Sequence, residues 1–300
     1  MMKRVLTMTM NPCIDRTLFF SHFRAGETNY VDKVIEEAAG KGINAAVALA
    51  HIHVPVKALG FAYKENAKSL YEKLNAERIP YAFVELEGKM RVNQKLFDKS
   101  CMEMTECNER GREVSREDVE KLLKLLQNEL REASVLVIGG SVPPGAEDTI
   151  YARMIHMAKE AGVLTVLDAS GKLMREGIKE KPYLIKPNLE EFIDSFLYEE
   201  TEKITEEKIE KTAMQLVTEG IENVCISLGK EGVLLVNHDG VWKYPAIETE
   251  VKSLQGAGDA MVAGLCKAIY ENKKDKMAEY ALRMAASTIS LEGSRMGYLD

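Results

Sequence analysis

Short, largely apolar runs recur along this chain, each separated from the next by a stretch with helical periodicity. The runs are Lys57–Phe61, Ser134–Gly139, Leu164–Asp168, Tyr183–Lys186 and Asn223–Leu228. Such segments fit strands buried on both faces, and the helices between them supply the crossovers that parallel strands need. The pattern predicts an α/β fold with a doubly wound, mostly parallel sheet flanked by helices. The clearest helix begins at Ser115, where Asp118 is placed to complete a capping box. Its apolar face is Val119, Leu122, Leu123, Leu126 and Leu130. A hairpin follows the last run, with Gly232–Asn237 and Val241–Pro245 turning at His238, Asp239 and Gly240. Helices over Asp259–Tyr270 and Met277–Ser290 come after it.

Two regions break this rhythm. Residues 13–37 hold alternating segments, Thr17–Phe20 and Thr28–Val34. Residues 81–107 read as three short strands, Tyr81–Leu86, Met90–Asp98 and Met102–Cys107. Strands with no intervening helix join a parallel core with difficulty. They are therefore expected to form a small antiparallel β-sheet beside the main body, in the position of a lid. No repeat, low-complexity tract or linker divides residues 1–300, which read as a single domain.

Lys and Arg total 40 against 47 Asp and Glu, a formal charge of −7. That balance argues against a nucleic-acid partner, which needs a basic face. It leaves room for a small anionic substrate, because a few cations and a helix N-terminus bind phosphate inside an acidic protein. The five cysteines (13, 101, 107, 225 and 266) show no metal-binding spacing and read as reduced thiols of a cytoplasmic protein. The N-terminal apolar stretch is too short for a signal peptide and runs into Asn11, Pro12 and Asp15, so it reads as a first buried strand. No segment approaches the length of a membrane helix.

Four segments carry chemistry. In Gln255-Gly256-Ala257-Gly258-Asp259, small residues open a helix whose free N–H groups favour an anion, with an acid placed to take a proton from a hydroxyl. The competing reading is that Asp259 merely caps the helix. In Lys186-Pro187-Asn188-Leu189-Glu190-Glu191, Asn188 and Glu191 are spaced either to orient waters around Mg²⁺ or to form a capping box. Ala39-Gly40-Lys41-Gly42-Ile43-Asn44 again opens a helix with small residues, and it is not a Walker loop. Gly139-Gly140-Ser141-Val142-Pro143-Pro144-Gly145 is a rigid turn after a buried strand, where open α/β sheets bind ligands.

In this order, and with Asn11-Pro12-Cys13-Ile14-Asp15 before them and Ser227–Gly232 and Gly256–Gly264 behind, these segments resemble the PfkB (ribokinase-like) family of carbohydrate kinases over nearly the whole chain. Arg91, Asn93 and Lys95, followed by Thr105–Glu109, look most like the 1-phosphofructokinase branch, with tagatose-6-phosphate kinases close by. The resemblance implies a lidded α/β kinase that phosphorylates fructose 1-phosphate with ATP and Mg²⁺. Phosphorylation of tagatose 6-phosphate or fructose 6-phosphate is the nearest alternative, and a non-catalytic sugar-phosphate sensor is the rival of another class. A nucleotide-dependent dehydrogenase is disfavoured, since no GxGxxG follows the first strand.

The resemblance also implies roles. Asp259 would be the catalytic base, with Gly256, Ala257 and Gly258 forming the anion hole. Asp15, Gly40 and Asn44 would bind sugar hydroxyls, and Lys41, Arg91 and Ser141 the substrate phosphate. Lys186, Asn188, Ser227, Gly229 and Gly232 would line the nucleotide site, and Asn188 and Glu191 would organise Mg²⁺ through water. A homodimer through the β-lid is a further implication. The chain departs from the family pattern at Ala39, where a second glycine is usual. It departs again at Leu254-Gln255, which puts a monovalent-cation site in doubt.

Overall fold

The computed structural model describes residues 3–198, 203–293 and 295–299. In chain order, β1 (Arg4–Thr9), β2 (Cys13–Phe20) and β3 (Lys33–Ala39) lead into α1 (Lys41–His51), β4 (Val56–Tyr63), α2 (Lys68–Ala76) and β5 (Tyr81–Leu86). Then come β6 (Arg91–Asp98), β7 (Glu103–Asn108), α3 (Arg116–Glu129), β8 (Ala133–Gly139), α4 (Ile150–Glu160), β9 (Leu164–Asp168), α5 (Gly171–Gly177) and β10 (Leu184–Ile185). The last third holds α6 (Leu189–Phe196), α7 (Glu206–Thr218), β11 (Asn223–Ser227), β12 (Val233–Asn237), β13 (Gly240–Tyr244), α8 (Ala257–Tyr270) and α9 (Met277–Ile289).

The larger sheet has the order β13-β12-β11-β10-β9-β8-β1-β4-β5. From β11 to β5 every pairing is parallel, and the β12–β13 hairpin adds an antiparallel edge. This is the doubly wound sheet that the apolar runs predict. Val5, Leu6 and Met8 of β1 and Leu136, Val137 and Ile138 of β8 are buried, as central strands covered on both faces require. The helix after Ser115 forms with its capping box in place, and Val119, Leu122, Leu123 and Leu126 are buried on its inner face.

The chain builds outward from β1 to β4 and β5, then crosses back to β8 and continues the other way. The strand order therefore reverses between β1 and β8, and ligands of open α/β sheets bind beyond the carboxyl ends at such a point. Asn11 follows β1 and Ser141 follows β8, and the Asn11 Nδ2 donates to Ser141 Oγ across the crevice at 3.1 Å.

The separate small sheet has the order β3-β2-β6-β7. Its outer pairings, β2–β3 and β6–β7, are antiparallel. The central β2–β6 pairing is parallel, which the long excursion of the chain between them through the larger sheet permits.

Two expected boundaries are corrected. Tyr81–Leu86 is not a lid strand; it pairs in parallel with β4 at the edge of the larger sheet. The helix α2 supplies the crossover that the sequence pattern does not reveal, because only Leu70 and Leu74 of its nine residues are buried. The second lid strand begins at Lys33 rather than Thr28 and runs on to Ala39.

Candidate active site

A cleft of about 1090 Å³ opens at the carboxyl ends of the larger sheet, with the small sheet forming one wall. The lid contributes Asp15 and Arg91, and the turn after β8 contributes Ser141. Gly40, Lys41 and Asn44 come from the start of α1, Lys186, Asn188 and Glu191 from the approach to α6, and Ser227 from the end of β11. Gly256, Gly258 and Asp259 come from the start of α8. These residues are scattered over more than 240 positions of sequence, and the switch in strand order brings them to one place.

Ala257, Gly229 and Gly232 do not line this cleft. Ala257 sits in the first turn of α8, where its backbone rather than its side chain is relevant. Gly229 and Gly232 bound the short turn from β11 into β12. Gly232 has φ 97°, and a Cβ there would lie 2.0 Å from Tyr244 O, so the close approach of the hairpin strands accounts for this glycine.

Asp259 lies in the first turn of α8 and is buried. Gly256 starts the helix with φ 76°, a left-handed conformation that favours glycine. The first backbone N–H to donate within the helix is that of Ala260, to Gly256 O at 2.9 Å. The N–H groups of Ala257, Gly258 and Asp259 precede it, as the first turn of a helix dictates. Lys186 Nζ stands 3.6 Å from the position a Cβ on Gly258 would take, adding positive charge at the same end.

The Asp259 carboxylate accepts a hydrogen bond from Asn44 Nδ2 at 2.8 Å. Burial pushes its pKa up to about 6, with the Asp168 carboxylate acting in the same direction against Lys41, Asn44 and Lys186. A carboxylate of that basicity is ionised at neutral pH and is a competent proton acceptor.

Asp168, which no sequence motif singles out, lies buried beneath the cleft lining and is the shared counter-charge of two lining lysines, Lys41 and Lys186. It ends β9 and is 2% exposed, and one of its oxygens, Oδ1, lies 3.1 Å from Lys41 Nζ and 3.3 Å from Lys186 Nζ. Burial opposes its charge, but the two ammonium groups outweigh that and hold its pKa below the usual range. Lys41 also approaches Glu191 Oε1 at 3.5 Å. Burial opposes the Lys41 charge too, yet Asp168, Glu191 and Asp259 keep its pKa above the ordinary lysine value. An acidic residue closing the buried run Leu164–Asp168 was the available signal for this residue.

At the lid end, Asp15 accepts from Asn93 Nδ2 at 3.0 Å and is paired with Lys95 Nζ at 2.7 Å. The neighbouring Cys13 thiol is pushed up to about 12, by burial first and then by Asp15, and is not a nucleophile. Arg91 donates to Asn11 O, Glu109 O and Asn93 Oδ1 at 3.2, 3.0 and 3.1 Å. Asn11 is a second residue whose part was not anticipated. Its buried amide donates to Arg110 O, Ser141 Oγ and Val142 O, clamping the loop after β7 to the turn after β8.

Asn188 and Glu191 form a full capping box at α6. Asn188 Oδ1 accepts from Glu191 N at 2.7 Å, and Glu191 Oε2 accepts from Asn188 N at 2.8 Å. Glu191 Oε1 is outside that box and faces the Lys41 ammonium. Among the described residues no group of three or more acidic, His or Cys side chains could hold a metal ion by itself. Mg²⁺ carried on phosphate oxygens needs only one or two carboxylates and keeps most of its waters. Glu191, which lines the cleft beside Asn188, fits that requirement, whereas Asp168 is buried beneath the lining and occupied by two ammonium groups.

No helix among the described residues is long and apolar enough to cross a membrane. The sequence pattern of the pfkB family carbohydrate kinases matches residues 8–298. The 1-phosphofructokinase of Haemophilus influenzae is 32% identical over 300 residues, covering 100% of this chain and 94% of that protein. The tagatose-6-phosphate kinase of a Staphylococcus epidermidis strain is 29% identical over 274 residues, covering 91% of this chain and 87% of that one. In structure, phosphofructokinase-2 of Escherichia coli in complex with potassium superposes with a TM-score of 0.91 at 25% identity, covering 99% of this chain and 96% of that chain. With a buried acid at a helix N-terminus facing a cleft at the sheet's switch point, and a family match over almost its full length, the chain belongs to the pfkB family of carbohydrate kinases.

Proposed function

We propose that the protein transfers the γ-phosphoryl group of Mg-ATP to the 6-hydroxyl of fructose 1-phosphate, giving fructose 1,6-bisphosphate and ADP. The observation that carries this reading is the Asp259 carboxylate, buried, oriented by Asn44 and placed beside the first N–H groups of α8. Asp259 takes the proton of the attacking hydroxyl as its oxygen bonds to the γ-phosphorus. The bond to the β,γ-bridging oxygen breaks and ADP leaves. The N–H groups of Ala257 and Gly258, with Lys186, hold the charge of the phosphoryl group in transit. Glu191 and Asn188, which line the cleft, would hold the waters of a bound Mg²⁺, whose charge would offset that of the phosphates.

Asp15, from the small sheet, and Gly40 and Asn44, from the start of α1, line the cleft and would bind the sugar hydroxyls. Ser227 and Asn188, bridged to each other at the end of β11 and the start of α6, line the same cleft and would face the nucleotide. Similarity to a 1-phosphofructokinase at 32% over the full chain supports the 1-phosphate substrate. The tagatose-6-phosphate kinase at 29% keeps a 6-phosphate substrate as the second reading. The lid exposes Tyr30, Val31, Val34 and Met102, apolar surface that suits a second copy of the chain.

The test is an ADP-release assay with Mg-ATP on fructose 1-phosphate, fructose 6-phosphate and tagatose 6-phosphate, compared by kcat/KM. Preference for the first supports the proposal. Preference for a 6-phosphate replaces the substrate and keeps the chemistry. Ligand binding without turnover on any of them would establish the sensor instead.

A further inference from the structure

Among the described residues the cleft carries five cationic side chains: Lys41, Arg91, Lys95, Arg110 and Lys186. Four of them already serve the protein. Lys41 and Lys186 share Asp168, Lys95 pairs with Asp15, and Arg91 is spent on Asn93 and two backbone carbonyls. Six carboxylates, those of Asp15, Glu106, Glu109, Asp148, Glu191 and Asp259, line the same space. A sugar phosphate adds a dianion to a cleft with no surplus of positive charge, so its binding calls for a cation that is not already neutralised.

Arg110 is that cation. Its side chain is exposed at the cleft and makes no hydrogen bond or ion pair among the described residues. Its backbone is held firmly. Arg110 O accepts from Asn11 Nδ2 at 3.0 Å, and Glu109 O accepts from Arg91. Glu109 Oε2 accepts from Val92 N at 2.8 Å. Gly111, with φ 93°, fits against Asn11 so closely that a Cβ would lie 2.4 Å from Asn11 Oδ1. The same Asn11 amide holds Ser141, so Arg110 stands on the clamp that joins the loop after β7 to the turn after β8.

We infer that Arg110 binds the phosphate of the sugar phosphate substrate and sets the preference for a phosphorylated sugar, while Arg91 and Asn11 position the loop that presents it. The inference rests on the proposed function. A free guanidinium offers a planar fork to a phosphate, and it loses little by leaving water for a dianion.

The experiment measures steady-state kinetics of the full chain with Arg110→Ala and Arg110→Lys, varying fructose 1-phosphate and Mg-ATP separately. Arg110→Ala should raise the KM for the sugar phosphate about 30-fold, as expected when a charge-assisted hydrogen bond to the substrate is removed, with the KM for Mg-ATP and the melting temperature unchanged. Inorganic phosphate, used as a competitive probe, should weaken in parallel. Arg110→Lys should fall between, since it keeps the charge and loses the fork. An unchanged sugar-phosphate KM in Arg110→Ala overturns the inference and leaves the kinase reading standing. Equal losses for both substrates, or a lowered melting temperature, also overturn it by showing a structural role. A wild type inactive on all three sugar phosphates overturns the proposed function, and this inference with it.

Discussion

The side-chain amide of Asn44 donates to Asp259 Oδ2 at 2.8 Å, joining residues 215 positions apart. One residue opens α1 and the other opens α8, and these two helices pack together against the sheet. The bond orients the carboxylate and favours its ionised form, while burial works the other way. On the core side Lys73 Nζ, itself held below its ordinary pKa by burial, reaches Asn44 Oδ1 at 3.5 Å. The Asn44 amide therefore has its oxygen toward a cation and its nitrogen toward the base.

The acid limb of the rate profile should report Asp259. Its carboxyl titrates near 6, and the base must be ionised, so kcat/KM should fall about tenfold per pH unit below that value. Asn44→Ala removes a hydrogen bond that lowers the pKa, so the limb should move to higher pH. An Asn44→Ala profile superimposable on that of the wild type would dissociate this bond from the chemistry.

Asp259→Asn should lower turnover by about 10³-fold or more while leaving nucleotide binding measurable. The same variant should be more stable than the wild type at neutral pH. The folded pKa near 6 lies above the unfolded value of 3.8, so the native state binds the extra proton between those values and loses stability as pH rises through them. The full penalty, at most about 3 kcal/mol, is present above pH 6 and absent below about pH 4. Thermal melts at pH 7.5 and pH 4 check this, with the gap between variant and wild type closing at the lower pH.

Asp168→Asn leaves two buried ammonium groups without their shared counter-charge. The expected cost is about 3–5 kcal/mol, read as a lower denaturant midpoint. A midpoint equal to that of the wild type at pH 7 would show that Glu191 alone neutralises Lys41.

Gly42→Ala should be destabilising through sterics alone. A Cβ there would lie 2.5 Å from Met8 O and 2.6 Å from Thr9 Oγ1, and Met8 O belongs to the central strand β1, which has little room to retreat. A cost of about 1–3 kcal/mol is expected, together with reduced activity from displacement of Lys41 and Asn44. Equilibrium unfolding and kcat measured on the same preparation test both effects.

Much of the fold is local physics and was legible in the sequence. Buried strands such as Leu164–Asp168 announce themselves as apolar runs, and the box of Ser115 with Asp118 spans four residues. The box of Asn188 with Glu191 was legible for the same reason, as one of two readings of that spacing. The glycine-bounded start of α8 offered Asp259 as either a base or a helix cap, and only the resemblance of the whole chain favoured the first. The place of Tyr81–Leu86 was not legible, since two buried leucines give α2 too little periodicity to reveal the crossover ahead of it.

What the tertiary structure decided is which charges meet. Lys41 and Asp168 are 127 positions apart, and no periodicity or spacing connects them. Their pairing follows from the reversal of strand order between β1 and β8, which brings the start of α1 over the end of β9. Side-chain type limits what chemistry a residue can perform. Burial and neighbours, which exist only once distant strands pair, determine that the Asp259 carboxyl is pushed up to about 6, that Lys41 is held by carboxylates, and that the Arg110 side chain lies exposed at the cleft.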